Sequence, residues 1–434
     1  MDFRHFRFVM VILIVVLTIG VGFVTAAGMG RGAVQEVRLD PDPSDTDTEY
    51  GRSVAIDGNL VAVGMGGDGA IGSVYVYRHM GPTYVLDEKL AFPEEVSCDC
   101  LDAKETEDPE DEFTLCPEFG RTVAIQGDTI FVGARFAPVG EISAGAVYVF
   151  KNKGDSWVYT AKIVSPNPEA EDNFGRALAV QGNLLVVTAR KEDQTSTDVG
   201  GAYVYQYTGR EWMYYTKLTA SDATSSAYFG QSVAIQGEYL VIGARNADPQ
   251  GAGGFYLFRR DGAEWVETAK VSPPNGKNND QYGFCIAMSG DTVAVGARRT
   301  DQNSIMKDTG AAFVYTIKDG FPVLVTKLTA SDAEASDEFG QSVAFVDDLI
   351  AVGAWKDDIE GKVNDKTGNG SIYLFRQLDG KWTEIAKIQA SDGMEGDEFG
   401  YSLAALGNRL VTGAHKADFM YKDAGAAYVI PVRL

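Results

Sequence analysis

The chain has 434 residues, 45% of them hydrophobic, and a formal charge of −23 from 38 basic and 61 acidic residues. That balance excludes a nucleic-acid binder, because phosphate recognition needs a basic surface; it fits a soluble, acidic surface. Four cysteines (Cys98, Cys100, Cys116, Cys285) and, after residue 26, two histidines (His79, His415) give neither a zinc-ligand spacing nor a Ser/His/Asp set.

Arg4 and Arg7 precede an uncharged apolar run from Phe8 to Val24, which ends in Thr25-Ala26. This is the pattern of a secretory signal peptide at 1–26; retained, the same run would be a membrane anchor. In either case the basic residues stay inside and the rest of the chain crosses. The expected location is secreted, or membrane-anchored with residues 27–434 outside, and the membrane is a partner only in the second case.

Residues 27–434 read as one domain of repeats. A lone strand at 33–40 comes first. An aromatic-Gly pair then recurs at Tyr50-Gly51, Phe119-Gly120, Phe174-Gly175, Phe229-Gly230, Tyr282-Gly283, Phe339-Gly340 and Phe399-Gly400, with steps of 69, 55, 55, 53, 57 and 60 residues. After each pair come an apolar strand, a tight turn, a second strand, a loop, a third strand, and a fourth that ends in lysine plus an apolar residue. Turns such as Gly58-Asn59, Gly127-Asp128 and Gly237-Glu238 supply the positive φ of a two-residue hairpin. Seven such repeats predict an all-β, seven-bladed β-propeller of four-stranded antiparallel blades. The seventh repeat stops after three strands, so the strand at 33–40 is expected to complete the last blade, closing the ring and covering its edge.

The connection from the first repeat to the second, residues 94–118, is an insertion with eleven acidic residues, one lysine and three cysteines. In an oxidising compartment it predicts a disulfide of Cys116 with Cys98 or Cys100. Cys285 stands where Ser232, Ser342 and Ser402 stand elsewhere, as a small packing residue. Trp157, Trp212, Trp265 and Trp382 recur on the fourth strand as packing pieces. Lys89, Lys162, Lys217, Lys270, Lys327 and Lys387 recur to neutralise a nearby carboxylate. Asn369-Gly370-Ser371 is the one glycosylation sequon.

The aromatic-Gly opening and the later Gly-Ala, at Gly133-Ala134, Gly243-Ala244, Gly296-Ala297, Gly353-Ala354 and Gly413-Ala414, resemble the FG-GAP repeat of integrin α-subunit propellers. The resemblance spans residues 33–434 and implies an extracellular ligand met on the long-loop face. The proline that follows Gly-Ala in that family is replaced here by Arg135, Arg190, Arg245, Arg298, Trp355 and His415. The family's calcium loops between the first two strands are absent, so its metal sites do not carry over.

The long loops between second and third strands and between blades share one face, where function normally sits. Two sets converge there. The first is the row Arg135, Arg190, Arg245, Arg298, Trp355 and His415, expected near the axis, with the symmetry-breaking Asp357 and Asp358. The second is acidic: Asp222, Asp332 and Asp392, with Asp172, Asp280, Asp337 and Asp397 two residues before the aromatic-Gly pairs. Asp332, Asp337, Asp392 and Asp397 are the candidate calcium ligands; each also has a plain role as a turn closer or ion-pair partner. The expected function is a non-catalytic binding module for an extracellular protein or polysaccharide. The alternatives are a polysaccharide lyase or hydrolase on the same face, or a structural envelope protein.

Overall fold

Valine, isoleucine, tyrosine and phenylalanine crowd the segments between the glycine-bearing turns, and such side chains suit a pleated, half-buried surface. In the computed structural model these segments are strands, and no helix occurs among the described residues. The structure describes residues 36–43, 49–67, 70–96, 116–194, 196–248, 250–358, 368–418 and 422–433. The leader at 1–26 and most of the acidic insertion lie outside them.

Seven four-stranded antiparallel sheets form the seven blades, six with their strands in simple sequence order. Blade six, for example, runs Phe339–Val346, Leu349–Ala354, Ser371–Leu378 and Lys381–Ile388. The seventh takes its fourth strand from the N-terminal end: Val37–Leu39 pairs with Ala426–Pro431, setting Arg38 opposite Tyr428. The seam also closes near the axis. There Tyr50 bridges to Gly425, and the Ser402 hydroxyl donates to the Gly51 carbonyl at 2.8 Å. One small element was not foreseen, a two-stranded hairpin of Pro138–Val139 and Ile142–Ser143 within blade two's long loop.

Neighbouring blades bury apolar faces against each other, which is why both faces of each inner strand are hydrophobic. Ala62, Val74 and Val76 of blade one pack with Phe119, Ile130 and Val132 of blade two in one cluster. The motif glycine permits this approach. Gly340 has φ +94°, and a Cβ there would lie 2.3 Å from the Ala311 carbonyl oxygen of the preceding blade. Two residues on, a hydroxyl or thiol donates to the next blade's motif glycine: Ser232 to Gly283 O (2.8 Å), Cys285 to Gly340 O (3.2 Å) and Ser342 to Gly400 O (2.6 Å). Cys285 is therefore a serine substitute in an inter-blade hydrogen bond. In blade three the position is Ala177. The space its missing hydroxyl would fill is taken by Thr188, which replaces the glycine of Gly-Ala and accepts a hydrogen bond from the Ala177 backbone at 3.0 Å.

The outer strands carry the expected tryptophans, and they are packing residues. Trp157 is buried and donates from Nε1 to Asp87 of the preceding blade at 3.0 Å. Trp212 meets Phe131 of blade two edge-on. An irregularity interrupts the outer pair of each of the first six blades, for example between Leu374 and Phe375, and such bulges blunt an open edge.

Candidate functional site

Each inner strand begins next to its aromatic-Gly pair on the long-loop face and runs to a tight turn on the other. The first residues after the motif glycine therefore surround the axis at the long-loop end. There they line a cavity of about 280 Å³, with three residues from every blade. The deepest layer is aliphatic in all seven blades, from Val54 to Leu403, and the middle layer is a hydroxyl or thiol in every blade but the third, which has Ala177. The layer nearest the loops breaks the symmetry. Three consecutive blades contribute Arg52, Arg121 and Arg176; the other four contribute Gln231, Phe284, Gln341 and Tyr401.

The anticipated row Arg135, Arg190, Arg245 and Arg298 does not line this cavity. These residues follow the second strand of a blade, one strand spacing farther from the axis, and all four are buried. They support the lining from behind. Arg135 makes a two-point contact with Glu118 (2.5 and 3.1 Å), a carboxylate with no exposure, while Arg121 stands 3.9 Å from the same group. Arg190 donates to the Gln231 side-chain oxygen at 3.0 Å, and Arg245 lies over the Tyr228 ring. Arg298 donates to Gln281 at 2.6 Å and Gln341 at 2.9 Å and covers Phe284. The residue before each motif aromatic, Glu118 and Glu338 among them, is held at positive φ, which turns its side chain into this layer.

Trp355 and His415 are brought together, as expected of neighbouring blades, with Tyr401 between them; the Tyr401 and His415 rings are 3.9 Å apart. His415 is 1% exposed, and its Nε2 lies 3.2 Å from Glu398. Burial pushes the Glu398 carboxyl up to about 7 against the pull of Lys416. Trp355 donates to Glu338 at 3.1 Å beside Lys356 at 2.7 Å. Burial would raise Glu338 too, but Arg298 and Lys356 outweigh it and hold its carboxyl below the usual range. Asp357 is an internal strut: it accepts from the Ser371 hydroxyl, from Tyr373 at 3.0 Å, and pairs with Lys387 at 2.7 Å. Asp358 is half-buried, and residues 359–367 lie outside the described residues.

The acidic candidates take two structural roles. Asp222, Asp332 and Asp392 leave one blade and clasp the next. Asp332 accepts from Lys387 (2.7 Å) and Tyr373 (2.8 Å), and Asp392 from Arg38 (2.5 Å) and Tyr428 (3.0 Å). Asp222 does the same with Lys270 and Tyr256. Asp172, Asp280, Asp337 and Asp397 each accept the backbone N–H three residues earlier, at 2.6 to 2.9 Å, closing their own turns. Burial raises all four, Asp172 and Asp337 to about 7. Among the described residues no three histidines, cysteines or carboxylates are grouped to hold a metal ion. Asn369 is only 7% exposed and its carbonyl accepts the Phe399 N–H, so the sequon sits in a packed blade junction. Cys116 is buried, and Cys98 and Cys100 lie outside the described residues, so the disulfide expectation falls there too.

The channel-lining arginines and glutamines were missed by sequence reasoning, although their signal was present. The residue after the motif glycine reads Arg, Arg, Arg, Gln, Phe, Gln, Tyr along the chain. An unvarying glycine followed by such a varied residue marks a fixed backbone with a free choice of side chain.

The FG-GAP repeat profile matches residues 34–77, 117–150, 157–205, 212–258, 265–315, 323–375 and 382–430. No curated protein matches the sequence. Among solved structures, a chain of one titled "Crystal Structure of Mitotic Checkpoint Complex" is similar over 92% of this chain and 93% of its own. It has a TM-score of 0.54 and 12% identity, a likeness of fold alone.

Proposed function

Since the chain belongs to the FG-GAP repeat family, whose repeat here builds a β-propeller binding module, we propose that it is exported and engages an extracellular protein or polysaccharide through its long-loop face. The observation that supports this most is the asymmetry of the two faces. One carries turns of two to four residues, while the other carries every inter-blade loop and rings of side chains that change from blade to blade. Function gathers on loops that a rigid scaffold positions. The reading is non-catalytic: the buried carboxylates on that face close turns, clasp blades or face arginine, and those are structural tasks.

The test is retention of the labelled protein on intact cells and on extracellular polysaccharide, in calcium and in chelator. Retention in both supports the reading without metal. Retention only in calcium adds a metal in the acidic loops, the insertion 94–118 included. No retention on either material overturns it and leaves the polysaccharide-acting enzyme to be assayed by turnover.

A further inference from the structure

We infer that Asn275 is a site of spontaneous deamidation, and that the carboxylate formed there pairs with Lys327 and clasps blade four to blade five. The loop leaving blade four is built like those leaving blades five and six. Asn275 stands seven residues before Tyr282, as Asp332 stands before Phe339 and Asp392 before Phe399. The turns match as well. The Gly276 N–H donates to the Pro273 carbonyl at 3.1 Å, as Gly393 does to Ala390 at 3.2 Å. The Lys277 N–H donates to Asp280 at 2.9 Å, as Met394 does to Asp397 at 2.7 Å. From that place Asp332 and Asp392 hold the cation and the tyrosine of the next blade. Asn275 is uncharged and exposed, and its side chain makes no hydrogen bond among the described residues. Its φ is +59°, a conformation that asparagine and aspartate both adopt, so the turn accepts the product. Lys327 is the available partner. Its ammonium lies 5.7 Å from the centre of the Phe313 ring, is attracted by Asp280 and repelled by Lys277, and has no ion pair among the described residues.

The next residue supplies the chemistry. The Gly276 backbone nitrogen leaves its turn hydrogen bond, which an exposed loop tip permits, and attacks Cγ of Asn275. The side-chain nitrogen departs as ammonia and a cyclic imide forms; water then opens the imide to a carboxylate, with no change of oxidation state. Packing requires the glycine, since a Cβ there would lie 2.5 Å from Pro273 Cγ and 2.7 Å from Ala252 Cβ. Glycine is also the neighbour that hinders the attack least. Two other asparagines show the contrast. Asn167 holds the same place before Phe174, but Pro168 follows it and has no N–H, and Lys217 of blade three is already paired with Glu192. Asn369 precedes a glycine too, but it is 7% exposed in a packed blade junction. The modification is independent of what the long-loop face binds.

Peptide mass spectrometry of the full-length chain, kept folded in mildly alkaline buffer, tests it. Trypsin releases residues 271–277. Exchange of the side-chain NH2 for OH is expected to accumulate in that peptide while Asn369 keeps its amide. Asn275→Asp is expected to melt about 1–2 °C above the fresh wild type, and to lose that gain when Lys327→Met is added. Aged wild type is expected to rise toward Asn275→Asp. Asn275→Gln, whose longer side chain closes an imide poorly, is expected not to change with age. An intact amide at Asn275, after the isolated 271–277 peptide has converted under the same conditions, overturns the site. Three results overturn the clasp: a melting temperature unchanged by Asn275→Asp, a gain that survives Lys327→Met, or conversion only to the β-linked isomer, which chromatography separates from the aspartyl product.

Discussion

The rim of the ring and the mouth of its channel are built from the same seven repeats and treat them in opposite ways. At the rim one arrangement recurs. A carboxylate from the loop leaving one blade meets the lysine and the tyrosine of the next: Glu94 with Lys162 and Tyr148, Asp222 with Lys270 and Tyr256, Asp332 with Lys387 and Tyr373. At the seam Arg38 replaces the lysine and the clasp survives, with Asp392 and Tyr428. Blade three takes its carboxylate from its own loop, Glu192 with Lys217, and blade five departs at several positions together. Phe313 stands for the tyrosine, the preceding loop carries Ser272-Pro273-Pro274 instead of an acid, and burial lowers the pKa of Lys327. At the mouth, the backbone repeats and the side chains do not. A repeated side chain here answers a packing demand made in nearly every blade, whereas variation on an unvarying backbone is where chemistry can be chosen.

Three substitutions separate what the repeats require from what they merely tolerate. The largest effect belongs to the motif glycine. Gly340→Val forces a side chain into positive φ and against the Ala311 carbonyl 2.3 Å from its Cβ. It is expected to cost more than about 4 kcal/mol, measured by urea unfolding; a loss below about 1 kcal/mol would show that the blades can separate to admit it. At the rim, Lys387→Met removes the cation from Asp332 and from the nearly buried Asp357 and is expected to cost about 1–3 kcal/mol. Lys327→Met in blade five removes a cation that burial already disfavours, and is expected to change stability by no more than about 0.5 kcal/mol. Equal losses in the two variants would erase the distinction between a clasped blade and an unclasped one.

The fold was legible because its demands are local and periodic. A glycine at positive φ, a two-residue turn and a run of β-branched residues each announce themselves within ten residues, and seven copies in phase leave one architecture. The permuted strand was legible for the same reason, since Val37-Arg38-Leu39 carries the ending of a fourth strand. The site was only half legible. Arg135, Arg190, Arg245 and Arg298 were placed near the axis, but the second strand lies one spacing outside the first, so they stand behind the lining. The residue after the motif glycine, on the innermost strand, faces the cavity instead. Partners across blades were invisible as well. Asp332 and Lys387 are 55 positions apart, and nothing local to either says that a carboxylate leaving blade five is neutralised by blade six.

The smallest of these effects concerns acids at the blade junctions. Burial raises Asp337 to about 7, even though its carboxylate accepts the Glu334 N–H, and Asp172 and Glu398 are raised to about 7 in the same way. The unfolded chain titrates these groups near 4. Between about pH 4 and 7 the folded state therefore holds protons that the unfolded state has released, and its stability falls as pH rises. The contribution is complete below about pH 4 and is lost as pH climbs through about 7. Asp332 and Glu338, which are lowered, act in the opposite sense, but only in acid, as pH falls below their ordinary values. From pH 5.5 to 8 the raised group governs the slope. The melting temperature is expected to be higher at pH 5.5 than at pH 8. Asp337→Asn, which keeps an oxygen for the Glu334 N–H and cannot ionise, is expected to shrink that difference by on the order of 2 °C. Scanning calorimetry of both proteins at the two pH values decides it. An unchanged difference in the variant would mean that Asp337 is ionised in the fold at neutral pH, and that its turn is held by a charged oxygen rather than a neutral one.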